Sequence, residues 1–252
     1  MTTYLYCVLA PARADELPRG LTGIGAAPVR SLVSEQMGVL EAWVATIAPA
    51  ALRVTGEALA AQALMHNEIV NAALQTGRTP APARYGSRFE NDAACIADLA
   101  SRADLLRDVL HRVAGSVEMP VLIVPSAPRA APLAKPDPGE PAAGRRYLEA
   151  VRTQTRESER FRSMAELEAD RVMLAVRGII RDETRSYASS GVLSVAHLVP
   201  RDALARYHSV LAAISPGDSF RLVIGEPRAP YSFAGSNSGS AGHDSSKPTQ
   251  NE

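Results

Sequence analysis

Nucleophilic catalysis needs an activated Ser or Cys with a base in reach, and the sequence carries no Gly-x-Ser-x-Gly turn or comparable local signature. Cys7 and Cys95 sit inside apolar runs, at no metal-ligand spacing, and read as core residues. Histidines His66, His111, His197, His208 and His243 are scattered, with no His-x-x-x-His pair to grip a metal from one helix face. His66-Asn67-Glu68 comes nearest to a metal site, but it lacks a second histidine. Glu57 with Glu68, or Asp104 with Asp108, could be read as an acid/base pair; carboxylates at such spacings more simply mark solvated helix faces. The run Gly20-Leu21-Thr22-Gly23-Ile24-Gly25 has neither the fingerprint spacing nor the downstream helix of a phosphate loop, so it reads as a flexible turn. Tyr4 and Tyr6 share one face of a strand without the aromatic platform of an RNA-binding sheet. These residues assign no catalytic, metal or cofactor site, and no cofactor is expected.

The bulk properties point the same way. Lys plus Arg and Asp plus Glu balance at 27 each, so no net field draws the chain to nucleic acid or to an anionic membrane. Apolar residues make up 46% and charged residues 21%, values that fit a folded body and exclude a disordered or fibrous chain. No apolar run nears the roughly 20 residues needed to span a bilayer. The start of the chain lacks the charged and apolar regions of a secretory signal, so a cytoplasmic protein with reduced thiols is expected.

The elements that must position these side chains form an α+β pattern in two parts. Tyr4 to Ala10 reads as a central strand buried on both faces, and Pro28–Val33 with Val39–Ile47 as a hairpin. A helix from Gly56 to Thr76 and a short strand from Pro80 to Gly86 follow. The next helix is capped by Asn91 or Asp92 and runs to Gly115, with Cys95, Leu99, Leu106, Leu110 and Val113 on one stripe. Val117–Val124 is a further strand. Six prolines between Pro125 and Pro141 mark a linker.

The expected organisation is a first domain over 1–125, a Pro-rich linker over 126–143, a second domain over 144–233 and a disordered tail over 234–252. Each domain is expected to hold a mixed sheet with helices, the second being ferredoxin-like. The second part opens on a long helix from Gly144 to Tyr187. Phe161, Ala165, Val172, Val176 and Ile179 form its core face, interrupted by Glu168, which there needs a cationic partner or an exposed edge. A strand Val192–Val199, a helix Arg201–Ile214 and a strand Phe220–Ile224 complete it.

Several segments resemble, in order, the gas vesicle protein F/L family. His66-Asn67-Glu68 on a helix leads to Pro80-Ala81-Pro82-Ala83-Arg84-Tyr85-Gly86-Ser87-Arg88-Phe89, similar to that family's His-x-Glu helix and Pro-x-Arg-Phe-Gly-x-x-Phe strand. Tyr4-Leu5-Tyr6, the run from His111 to Met119, Gly144-Arg145-Arg146-Tyr147-Leu148 and Pro230-Tyr231-Ser232-Phe233 match further family segments. Tyr85 stands where Phe is usual, and Gly225 to Tyr231 replaces a tryptophan-bearing segment.

The resemblance implies an accessory component that binds the hydrophobic shell protein of the gas vesicle, and other accessory proteins, and assists nucleation and assembly. It implies no enzyme, and association with gas vesicles in the cytoplasm. His66, Glu68, Arg84, Tyr85, Gly86, Arg88, Phe89, Tyr147, Tyr231 and Phe233 are the family-motif candidates for partner binding. The same arginines and aromatics can equally be structural, with Arg84 and Arg88 at the junction of the two halves and Tyr231 and Phe233 sealing the second sheet. Two other readings stay open: a ferredoxin-like small-molecule binder or enzyme with a pocket between sheet and helices, and a scaffold that docks partners along the long helix.

Overall fold

The computed structural model describes residues 1–11, 17–126, 143–188 and 192–235. The expected linker and tail lie, but for their end residues, outside these. Two antiparallel sheets with helices packed on them form an α+β protein.

The first sheet is built around β1 (Thr2–Leu9), which pairs with β3 (Glu41–Ile47) on one side. On its other side it pairs with two short strands, β4 (Ala81–Pro82) and β5 (Arg88–Phe89). β2 (Val29–Val33) pairs with β3 as the expected hairpin. The expected strand from Pro80 to Gly86 shrinks to two paired residues, because Pro82 has no N–H to donate and Gly86 turns the chain with φ 87°.

Both faces of β1 are covered, hence its unbroken apolar sequence. Its register with β3 slips between Leu5 and Cys7, leaving Tyr6 as an extra bulged residue. Tyr4, Tyr6 and Cys7 consequently join Trp43, Ala45 and Ile47 in one core, closed by Ile69, Val70 and Ala73 of helix α1 (Glu57–Gln75). Leu5 and Val8 face the opposite way, into a core with Leu32, Ala42 and Val44.

Helices α2 (Asp92–Ser101) and α3 (Ala103–Val113) close that second face through Cys95, Leu99, Leu106 and Leu110. They replace the single helix expected there. The break falls at Arg102, after Ser101 Oγ donates back to the Asp98 carbonyl (2.7 Å), a bond that competes with the helical ladder.

The second sheet has the order β7-β8-β6-β9, in strands β6 (Ser116–Pro125), β7 (Asp182–Tyr187), β8 (Leu193–Pro200) and β9 (Phe220–Ile224). With α4 (Ala143–Val176) and α5 (Leu204–Ala212) inserted, the chain runs β-α-β-β-α-β, the ferredoxin-like arrangement. β6 therefore belongs to the second sheet. The partition of strands falls before Ser116, where a boundary after residue 125 is expected from the prolines, and residues 126–143 connect two elements of one lobe.

The long helix ends at Val176 and does not reach Tyr187. The turn through Gly178 closes it, the amides of Ile179 and Ile180 donating to the Val176 carbonyl. β7 that follows is polar in five of its six residues, so apolar patterning does not reveal it. The predicted stripe is core: Ala165, Val172 and Val176 are fully buried against β6 and β8, and Ile179 nearly so. Glu168 is also buried and takes the Arg171 guanidinium at 3.0 Å, the cationic partner its position demands.

Polar contacts lock the lobes together. Arg201 at the end of β8 donates to the carbonyls of Leu74 (3.0 Å) and Arg78 (2.8 Å) at the C-terminus of α1. Arg78 in turn pairs with the buried Glu41 at 2.6 Å. Thr79 Oγ1 reaches the Ser116 carbonyl at 3.2 Å.

Candidate functional site

The family-motif residues converge around His66. Its position on α1, one face with Gln62 and Ile69, aims the imidazole at the bulged middle of β1. His66 Nε2 lies 3.0 Å from the Ala83 carbonyl, which only accepts, so Nε2 carries the proton and Nδ1 accepts from Tyr4 Oη at 2.9 Å. Tyr4 Oη accepts in turn from the Gly86 amide at 3.0 Å. The left-handed backbone of Gly86, which a side chain would strain, presents that amide.

Four tyrosine rings surround the imidazole: Tyr6 at 5.5 Å, Tyr4 at 5.7 Å, Tyr85 at 6.0 Å and Tyr231 at 6.5 Å between centroids. Tyr85 donates to Gln62 Oε1 at 2.9 Å. Tyr6 Oη accepts from the Ile24 amide at 2.9 Å, and a Cβ on Gly23 would lie 2.0 Å from that hydroxyl. The glycine run read as a flexible turn is thus a lid that only a bare backbone can lay over Tyr6.

The second part of the site comes from the end of the chain. After β9 the backbone returns to the junction, and Arg228 exchanges both main-chain hydrogen bonds with Glu118 of β6 (2.8 and 3.0 Å). The Glu118 side chain is fully buried. Its Oε1 accepts from Arg228 Nη2 (2.6 Å), Arg228 Nε (3.0 Å) and Ser232 Oγ (3.1 Å), and its Oε2 from the Ser232 amide (2.7 Å).

From this anchor the motif reaches both lobes. The Ala229 amide donates to Asn71 Oδ1 of α1 at 3.2 Å. Tyr231, in the short helix α6 (Tyr231–Ala234), packs into the core of the first sheet, while Phe233 joins Val113, Ala196 and Leu198 on the outer face of the second. Arg112 of α3 donates to the Phe233 carbonyl.

A further polar network lies in the second lobe. Buried His197 meets Tyr207 Oη at 2.6 Å and Glu183 Oε2 at 3.0 Å. Glu183 Oε1 takes Arg185 Nε at 2.6 Å, and Arg185 Nη1 bridges Glu166 and Asp170 at 2.7 and 2.9 Å. Burial raises the Glu183 carboxyl, but the hydrogen bonds from His197 and Arg185 outweigh it and hold the group below its ordinary range.

The electrostatics of these clusters favour bracing over reaction. Burial pushes the hydroxyls of Tyr4, Tyr6 and Tyr231 up and keeps them neutral. Burial likewise raises Cys7, and pushes the Cys95 thiol up to about 12, which withholds the reactive thiolate. Among the described residues no group of three or more His, Cys, Asp or Glu converges as a metal cage. The space between the first sheet and its helices is filled by Ile69, Val70 and Ala73 on one side and Cys95, Leu99 and Leu110 on the other. An open depression of about 430 Å³ lies at the end of β1, and the Arg30 guanidinium on its wall is held by Asp92 at 2.7 Å.

The candidates separate into two sets. His66, Tyr85, Gly86, Tyr231 and Phe233 belong to the junction just described. Phe89 is half-buried against the α2–α3 core, and Tyr147 is half-buried in the first turns of α4. Glu68, two residues from His66, points to solvent. Arg84 and Arg88 are also exposed and make no ion pair among the described residues; the arginines that bridge the lobes are Arg112 and Arg201, while Arg228 holds Glu118 within the second lobe. Glu118 and Arg228 are absent from the candidate list, although a carboxylate inside an apolar strand is the signal for a buried partner.

Burial pushes the His66 imidazole below its ordinary value of 6.5, against the opposing pull of the Ala83 carbonyl. The unfolded chain therefore binds the proton more readily. His66 adds stability that is complete above pH 6.5 and is lost as pH falls below it. Urea midpoints at about pH 7.5 and 5.5 should show His66→Gln less stable by about 1–2 kcal/mol at the higher pH, with a shallower fall between the two. An unchanged pH slope in the variant would contradict this assignment.

The sequence matches the family described as Gas vesicle synthesis protein GvpL/GvpF over residues 2–235. A comparison with curated proteins finds no significant match. Among solved structures, the fold is similar to the gas vesicle protein GvpF from Anabaena sp. PCC7120, with a TM-score of 0.69 and 15% identity over 96% of this chain and 99% of that one. It is also similar to GvpF from Microcystis aeruginosa, with a TM-score of 0.63 and 15% identity over 93% and 99% of the two chains.

Proposed function

Because the chain belongs to the gas vesicle synthesis protein GvpL/GvpF family, we propose that it acts as a binding protein in gas vesicle assembly, docking the hydrophobic shell subunit and helping it nucleate. A gas vesicle role follows from membership, and the family is one of vesicle proteins, not of known enzymes. No helix among the described residues is long and apolar enough to cross a membrane.

The observation that carries the reading is where the two kinds of side chain point. The ionisable groups of both networks are engaged with one another, whether buried, as Glu118 and His197 are, or partly open, as Arg228 and Asp170 are. Large apolar residues project outward along α1 and α4: Leu59, Leu64 and Met65 on the first, Met164, Leu167 and Leu174 on the second. A subunit prone to aggregate stays dispersed when such a surface covers its own.

The outward residues of α4 differ from the Val172–Ile179 stripe, which is internal. Docking along this helix would use its outward apolar residues, Leu148, Met164, Leu167 and Leu174.

Co-purification tests the proposal. Tagged full-length chain should retain full-length shell subunit through size exclusion and keep it in the supernatant. A folded chain that neither retains nor disperses the subunit would overturn it.

A further inference from the structure

α1 begins with Glu57-Ala58-Leu59-Ala60-Ala61-Gln62-Ala63-Leu64-Met65, apolar on every side except for Glu57 and Gln62. A helix apolar all round belongs in an interior. This one is buried only from His66 onward, and Ala58, Leu59, Ala60, Ala61, Leu64 and Met65 are all exposed, Leu64 at 65%. The ridge is nonetheless rigidly mounted, since Gln62 ties it to the Ala51 carbonyl at 2.7 Å and to Tyr85 at 2.9 Å.

Charge lies beside the ridge, on the side that Gln62 faces. Arg53 follows the segment that holds Ala51, and Arg84 and Arg88 flank Tyr85 and Gly86. All three are exposed and without an ion pair among the described residues. Glu57 and Glu68 stand at the two ends of the ridge, about 16 Å apart at 1.5 Å per residue.

A second copy fits this pattern poorly. An antiparallel two-fold pairing of α1 about its exposed half sets Glu57 against the copy's Glu68, and arginine rims against arginine rims. A complementary partner is instead apolar for about three helical turns, with carboxylates along its margins.

We propose that this ridge is the docking surface for an amphipathic helix of the shell subunit, whose acidic margins meet Arg53, Arg84 and Arg88. The assignment rests on the binding function proposed above and specifies its surface. Arg84 and Arg88 thereby gain a role outside the fold.

Affinity for full-length shell subunit, measured by biolayer interferometry at low and high salt, tests it on Leu64→Glu, Arg84→Glu/Arg88→Glu and a control at an exposed leucine of α3, across the first sheet from the ridge, Leu105→Glu. Circular dichroism checks that each is folded. Leu64→Glu should weaken binding at least about tenfold, and the double arginine variant should weaken it and flatten its salt dependence. Leu105→Glu should bind as the parent does. If the parent binds and Leu64→Glu binds equally well, the surface assignment is overturned and the function stands. A folded parent that does not bind overturns both. If Leu64→Glu instead converts a dimer to a monomer by light scattering, the ridge joins two copies of this chain and the assignment is overturned.

Discussion

Replacing Arg228 by Ala is expected to cost about 3–5 kcal/mol of folding stability, more than any other single change at the junction. The cost arises from what remains behind. Glu118 keeps a fully buried carboxylate, but loses the two guanidinium donors that occupy Oε1 and retains only Ser232.

Neutralising the buried partner should be milder. Glu118→Gln keeps the volume and an acceptor, and it leaves Arg228 with a side chain already 42% open to solvent, so a loss of about 1–2 kcal/mol is expected. Urea denaturation of the two variants measures the asymmetry, and amide exchange over residues 229–235 should quicken in both. Equal losses would mean that Glu118 is reached by water and that the C-terminal motif is held by packing alone.

The second large effect is expected in α4. Val172→Asp puts a carboxylate into the apolar core formed by β6, β8 and the helix, and the neighbouring Arg171 is already taken by Glu168. The loss should be on the order of 5 kcal/mol and should unfold the second lobe.

Leu167→Asp, five residues away and 64% exposed, should change stability by less than about 0.5 kcal/mol. Thermal unfolding followed by near-ultraviolet circular dichroism separates the two. A well-folded Val172→Asp protein would show that this stripe is a surface, and would add it to the faces available for docking.

Where one local rule acts, the sequence was sufficient. β1, β9 and α1 end within a residue or two of the expected positions, because continuous apolar runs and flanking Gly or Pro leave a single solution. Asn91 caps α2 as expected, accepting from the Ala94 amide at 2.9 Å. The need of Glu168 for a cation was likewise legible.

Elements governed by two competing rules were misread. The helix over residues 92–113 keeps its stripe across the break, so periodicity alone does not show that Ser101 and Arg102 interrupt it. β7 is an edge strand whose six residues are nearly all polar, and it was absorbed into the preceding helix.

By itself the sequence determined the α+β class, the family and the absence of a local catalytic motif, because composition, periodicity and ordered short motifs are properties of neighbouring residues. Only the tertiary structure decided that β6 joins the second sheet, that the Pro230–Phe233 motif returns to brace both lobes, and that Arg84 and Arg88 make no ion pair among the described residues while Arg201 bridges the lobes and Arg228 holds the buried Glu118. Those outcomes depend on contacts between residues more than a hundred positions apart, such as Glu118 with Arg228 and Leu74 with Arg201. Which arginine finds which carboxylate or carbonyl is set by the packing of the two sheets, and no spacing along the chain encodes it.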